Sequence, residues 1–169
     1  MDVGDDARLN WMPQETILFD HAALRRRLQI SLAPTASALM VEPLVFGRAA
    51  MGEVIRTVHL RDQVQITRAG HPVYHDGIRL DGDLTALLAR PAIAAGAGAL
   101  ATVVLAAADA LTDLTAVRAL LPDTAGASLL APDVLVARLL APDSFALRQS
   151  LIPLLMHLNG GKLPLSWRL

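Results

Sequence analysis

Val54-Ile55-Arg56-Thr57-Val58-His59-Leu60-Arg61-Asp62-Gln63-Val64-Gln65-Ile66-Thr67 alternates in character along its length. Val54, Val58, Leu60, Val64 and Ile66 fall on one parity, while Thr57, His59, Arg61, Gln63, Gln65 and Thr67 hold the other. Successive side chains of a strand point to opposite faces, so this pattern predicts a strand with one buried face. Ala69-Gly70-His71-Pro72 then supplies a turn, and Val73-Tyr74-His75 begins the return strand of a hairpin. Upstream, Leu24, Leu28, Ile30 and Leu32 alternate with Arg25, Arg27, Gln29 and Ser31 in the same way.

Downstream, Asp83 is placed to cap a short helix that Pro91 would stop. Residues 100–106, with Thr102-Val103-Val104 inside, read as an interior strand. Asp109 precedes Leu111, Leu114, Val117 and Leu121 at helical spacing, with Pro122 as the stop. Ala131-Pro132-Asp133 joins two apolar strands. The second Ala-Pro-Asp, at 141–143, opens a helical stripe of Leu147, Leu151, Leu154, Leu155 and Leu158 that closes at Asn159-Gly160-Gly161. Pro153 predicts a kink there. The expected fold is mainly β with C-terminal helices (β+α), a layered antiparallel strand stack. It forms one domain over residues 1–169, mainly strands over 1–108 and mixed helix and strand over 109–169.

A length of 169 residues suits a single domain, and 53% apolar against 18% charged residues can close a core. Aromatics are only 4%, so Leu, Val, Ile and Ala must build it. Fifteen basic against sixteen acidic residues leave a net charge of -1, and Arg25-Arg26-Arg27 is too short a cluster to make nucleic acid an expected partner. The chain has no cysteine, which excludes a disulfide scaffold, a thiolate zinc site and a Cys nucleophile, and fits a cytoplasmic setting. The acidic first ten residues lack the apolar core of a secretory signal. Residues 91–108 carry no charge over eighteen positions, but their Ala-rich composition, with Pro91, Gly96 and Gly98, favours a buried strand and loop over a membrane span.

His71 and His75, with Asp76 adjacent, would converge on a helix, but Pro72 and the strand pattern put them on a solvated hairpin. Asp20-His21 and His59 have no third ligand at a fixed spacing. No GxSxG elbow, P-loop or GxGxxG is present. Asp81-Gly82-Asp83 begins like a calcium loop but carries Ala92 where the closing glutamate belongs. Nothing in these patterns demands an enzyme. What needs explaining is the charge set in apolar surroundings: Glu15, Glu42, Arg48 and Glu53. Each must be paired, wetted or placed at a partner surface, because an isolated buried charge is costly. Two accounts stay open. One is a structural pair, such as Arg48 with Glu42 or Glu53; the other is a carboxylate-lined cavity or channel that holds a divalent ion weakly and lets it move on.

At these residues a resemblance enters. Trp11-Met12-Pro13-Gln14-Glu15-Thr16-Ile17-Leu18-Phe19-Asp20 is followed by Glu42-Pro43-Leu44-Val45-Phe46-Gly47-Arg48-Ala49-Ala50-Met51-Gly52-Glu53. Asp143-Ser144-Phe145-Ala146-Leu147-Arg148 and the ending Pro164-Leu165-Ser166-Trp167-Arg168-Leu169 complete the pattern, with Arg79-Leu80-Asp81-Gly82-Asp83 and Leu120-Leu121-Pro122 in order between them. The chain resembles the urease accessory protein UreD family, called UreH in some organisms, over nearly its whole length.

The resemblance implies a helix-like stack of strands, open at its N-terminal side. It implies a scaffold with no catalytic activity and no permanent cofactor. Such a scaffold acts with UreF and the GTPase UreG on apo-urease so that nickel, as transported ion, reaches the active site. Glu15, Glu42 and Glu53 are then the expected stations of a transient nickel path, with Arg48 as their structural or functional pair. The family carries a longer strand region ahead of Trp-x-Pro-Gln-Glu, whereas this chain begins almost at that motif. A shortened form or a late start is the expectation, with a sheet edge left bare. Two alternatives remain: a truncated homologue that no longer supports maturation, and a metal-dependent hydrolase using Glu15 or Glu53 as base with three converging ligands.

Overall fold

A computed structural model describes residues 1–48 and 51–168. Ala49 and Ala50, inside the Phe-Gly-Arg-x-x-Met-Gly-Glu string, and Leu169 at the end of the tail lie outside the described residues. The strands are β1 (Asp2–Val3), β2 (Arg8–Trp11), β3 (Thr16–Leu18), β4 (Ala22–Leu32), β5 (Ser37–Phe46), β6 (Val58–Arg68), β7 (His71–Gly82), β8 (Ala99–Ala106), β9 (Ala125–Ala131) and β10 (Val134–Ala141). The helices are α1 (Leu84–Leu88), α2 (Ala110–Leu120) and α3 (Ser144–Leu158), followed by a 3-10 turn at Leu165–Trp167.

The first sheet has the order β1-β4-β6-β7, and the second has β2-β5-β8-β10-β9 with β3 also beside β5. The class is the expected β+α, with the last helix at the C-terminus. Pairing departs from an all-antiparallel stack. The β6–β7 and β9–β10 hairpins are antiparallel as read, but β4 and β6 run parallel over their full length, as do β1 with β4 and β2 and β3 with β5. The reason is the path of the chain. It leaves the first sheet after β4, forms β5 in the second, and returns for β6, and strands joined by such a crossover run parallel. Successive coils therefore stack like turns of a flattened helix.

Pro43 lies inside β5 yet costs the sheet little. It falls where β2 has ended opposite Met40 and β3 has yet to begin opposite Leu44. Asp83 caps α1 by accepting from the Ala86 N–H at 2.9 Å, and Asp143 caps α3 by accepting from the Ala146 N–H at 2.8 Å. Asp109 precedes α2 without a side-chain cap; its carbonyl instead accepts from the Thr112 hydroxyl at 2.8 Å.

The core has two storeys. One face of the second sheet packs against the helices, where Leu39, Val103 and Leu135 meet Val117, Leu147, Leu151 and Trp167. Its other face packs against the first sheet. Residues 91–98 form turns and Ala99–Ala106 is the buried strand expected of the uncharged stretch. Among the described residues no helix is long and apolar enough to cross a membrane.

One edge is bare. β1 covers only Ser31 and Leu32 of β4, and no other described strand pairs with β4 on that side. Unpaired strand edges template association. Light scattering on the isolated chain is expected to report self-association; a monodisperse monomer with one sharp thermal transition would contradict this.

Candidate functional site

Between the two sheets, six strands each place one polar residue where an apolar one would serve packing. Arg26 sits between Leu24 and Leu28 on β4, Glu42 between Met40 and Leu44 on β5, and Asp62 between Leu60 and Val64 on β6. Asp76 lies between Tyr74 and Ile78 on β7, Thr102 between Leu100 and Val104 on β8, and Arg138 between Val136 and Leu140 on β10. The register lines them up. Glu42 is opposite Thr102, and Thr102 is opposite Arg138; across the layer Arg26 is opposite Asp62. The row divides the inter-sheet core into a cluster around Ile30, Met40, Ile66 and Val104 and another around Leu18, Leu44, Leu60 and Leu84.

Arg26 is the hub. Its Nε donates to Asp62 Oδ1 at 3.0 Å and its NH2 to Asp62 Oδ2 at 2.5 Å, while NH1 donates to the Thr16 hydroxyl at 3.1 Å. The same NH2 lies 2.7 Å from Glu42 Oε2, an ion-pair distance outside hydrogen-bond geometry. Glu42 Oε1 accepts from the Trp11 indole N–H at 2.6 Å. Glu42 Oε2 and Thr102 Oγ1 are thus buried without a hydrogen-bond partner among the described residues. They border a cavity of about 10 Å³, also lined by Asp62, Asp76 and Gly77, which is room for about one water. At the far end Asp76 accepts from the Tyr74 hydroxyl at 3.0 Å and pairs with Arg138, which is half exposed.

Three carboxylates against two guanidiniums leave this row one negative charge when all are ionised. Burial pushes the Glu42 carboxyl above its ordinary range, against the pull of Trp11 and Arg26. Burial works against the charge on Arg26, but the hydrogen bond to Asp62 and the charges of Glu42 and Asp62 raise its pKa nonetheless. Burial, helped by the Asp76 charge, also pushes the Tyr74 phenol up.

The other carboxylates singled out from the sequence lie elsewhere. Glu15 sits on the helical side, where its carboxylate pairs with Arg148 of α3 at 2.5 Å. Arg148 stacks over Trp167, whose indole N–H donates to the Met12 carbonyl at 3.0 Å, and Gln14 donates to the Ser166 carbonyl at 2.7 Å. The Trp11–Glu15 motif therefore clamps the C-terminal tail. Glu53 pairs with Arg48, its Oε2 accepting from both the Arg48 backbone N–H and Nε at 3.0 Å, while Oε1 accepts from the Asp20 N–H at 3.1 Å. Asp20 in turn accepts from the N–H groups of Arg56 and Thr57. The Arg48 hydrogen bond holds the Glu53 carboxyl below its usual value, and the Thr57 N–H does the same for Asp20. Of the two partners weighed for Arg48, the structure selects Glu53. Glu15, Glu42 and Glu53 share no hollow, and only Glu42 borders the cavity.

His71 and His75 lie on strand β7, and Asp76 turns to the opposite face from His75. Among the described residues no three His, Asp or Glu side chains gather as a metal site would need. Sequence reading did not connect Arg26, Asp62, Thr102 or Arg138 with the site, and it weighed Asp76 only beside His71 and His75. For the first two the signal was there: each is a charge on the apolar parity of its strand.

A family model described as UreD urease accessory protein matches residues 1–167. The chain belongs to the UreD family. A urease accessory protein UreD of Ruegeria pomeroyi is 50% identical over 167 residues, covering 99% of this chain and 65% of the relative. Those of Ruegeria sp. TM1040 and Roseobacter denitrificans are 52% and 50% identical, covering 100% and 96% of this chain and 60% of each relative. The chain thus spans under two thirds of the length of these curated UreD relatives. The strings that carried the resemblance do structural work in this UreD-family fold: the first clamps the tail, and the second supplies Glu42 and the Arg48–Glu53 pair.

Proposed function

We propose that this chain works in urease maturation as a non-catalytic scaffold, in the cytoplasm and together with UreF and UreG, and that nickel bound for apo-urease moves along the polar row between its sheets. The observation that carries this reading is Glu42 Oε2: a buried carboxylate oxygen that meets Arg26 as an ion pair but takes no hydrogen bond from any described residue, beside a water-sized cavity. Natural cores rarely leave such an atom without a hydrogen bond, because the lost bond costs about 1–3 kcal/mol. Carboxylate, hydroxyl and water ligands suit a hard or borderline divalent ion. Glu42, Asp62 and Thr102 offer such ligands, and the row's net negative charge favours a cation. Arg26 and Arg138 limit how tightly an ion is held, as transit requires. On this reading Glu15 and Glu53 hold the scaffold's shape. Its test is complementation: in cells lacking their own UreD, the chain is expected to restore urease activity. Failure to restore it would favour an inactive homologue.

A further inference from the structure

The hairpin's outward parity carries a feature that the linear sequence hides. Arg25 of β4 is opposite Arg61 of β6, and Arg61 is opposite Arg79 of β7. Three exposed arginines therefore stand in one row across three adjacent strands, spaced by about 4.8 Å at the backbone. Like charges directly opposite one another destabilise a sheet. No side-chain hydrogen bond or ion pair joins Arg25 or Arg61 to any described residue. The acid within reach, Asp81, lies at one end, bonded to His59 at 2.5 Å and 3.8 Å from Arg79. Beside the row runs an open groove of about 400 Å³, whose outward-facing side chains are Ala23, Arg25, His59, Arg61, Arg79 and Asp81.

We infer that this face docks an acidic segment of a protein partner, whose carboxylates pair with the Arg25–Arg61–Arg79 row. Charge complementarity selects the partner: guanidinium forks grip carboxylates in two-point contacts, and closing them removes the repulsion along the row. A nucleic acid fits less well. The face has no Phe, Tyr or Trp side chain for bases to stack on, since Tyr74 points inward and is buried. The whole chain is not basic, at a net charge of -1. No large apolar side chain is exposed on this face, so attraction must be electrostatic and fall with salt. The inference uses none of the groups in the inter-sheet row and stands apart from the nickel reading.

Binding of fluorescein-labelled decaglutamate to the full chain, immobilised at low density, tests it. Arg25→Ala/Arg61→Ala should weaken binding about tenfold, and Arg56→Ala/Arg90→Ala, which removes two charges outside this sheet, by less than about twofold. Should the two double variants lose affinity equally, the site is wrong. If the first variant fails to fold, the unaltered chain decides: decaglutamate should protect Arg25, Arg61 and Arg79 from phenylglyoxal labelling, read by mass spectrometry. Equal labelling with and without peptide overturns the inference. So does tighter, Arg25- and Arg61-dependent binding of an oligothymidylate of equal charge, which would make the face a nucleic-acid surface.

Discussion

Arg26→Ala is expected to lower stability by about 3–5 kcal/mol, read as a fall in the urea midpoint. The guanidinium touches Asp62 and Glu42, whose side chains are 5% and 6% exposed, so its removal leaves two carboxylates facing each other away from water. Breaking a buried ion network from one side costs more than the network itself contributes. Neutralising the partners as well makes this falsifiable: Arg26→Ala/Glu42→Gln/Asp62→Asn should recover most of the loss, because the unpaired charge disappears with them. A triple variant no more stable than Arg26→Ala would mean that Arg26 acts by packing, and the electrostatic account of the row would fail.

Gly98→Ala should cost about 3 kcal/mol or more, at the upper end of overpacking penalties, and for a backbone reason. A Cβ at this position would lie 2.3 Å from the Pro142 carbonyl oxygen. Being main chain, that oxygen cannot swing aside. Gly98 also fixes the start of β8 between its neighbours, donating to the Ala141 carbonyl at 3.0 Å and accepting from the Phe46 N–H at 2.9 Å. Relief of the clash therefore disturbs β5, β8 and the turn that leads into α3. Gly126→Ala is the control: nothing lies within 4 Å of its added Cβ, and its effect should stay within about 0.5 kcal/mol. A thermal melt of each variant decides.

The layer order was partly legible in the sequence. Period-two alternation placed β4 and β6, and the Asp-capped leucine stripe placed α3, because both patterns report burial on one face of a local element; the turn at 69–72 placed β7. Parallel pairing was not legible. Whether β4 joins β5 or β6 depends on which sheet β5 enters, and alternation within one strand carries no such information. The site was half legible for the same reason. Glu42 stood out as a charge in an apolar run, but Arg26 was hidden in Arg25-Arg26-Arg27, where three like charges suggest a solvated patch. Only strand parity separates them: Arg25 and Arg27 point outward, and Arg26 points into the core. Glu15 and Glu53 drew notice for the same greasy neighbours as Glu42. Their arginine partners, Arg148 and Arg48, neutralise them in separate places.

Glu42→Gln isolates the chemistry of the row at little structural cost. Glutamine keeps the shape and an acceptor for the Trp11 indole, and it removes a charge that burial penalises. Nickel content of urease, measured by mass spectrometry on complexes purified with the wild-type chain and with Glu42→Gln, is the most direct measurement. The account predicts that the variant co-purifies with urease as well as the wild type does, while nickel loading falls about tenfold, the effect of losing roughly 1.4 kcal/mol at one ion station. Full nickel loading by a co-purifying Glu42→Gln chain would contradict it.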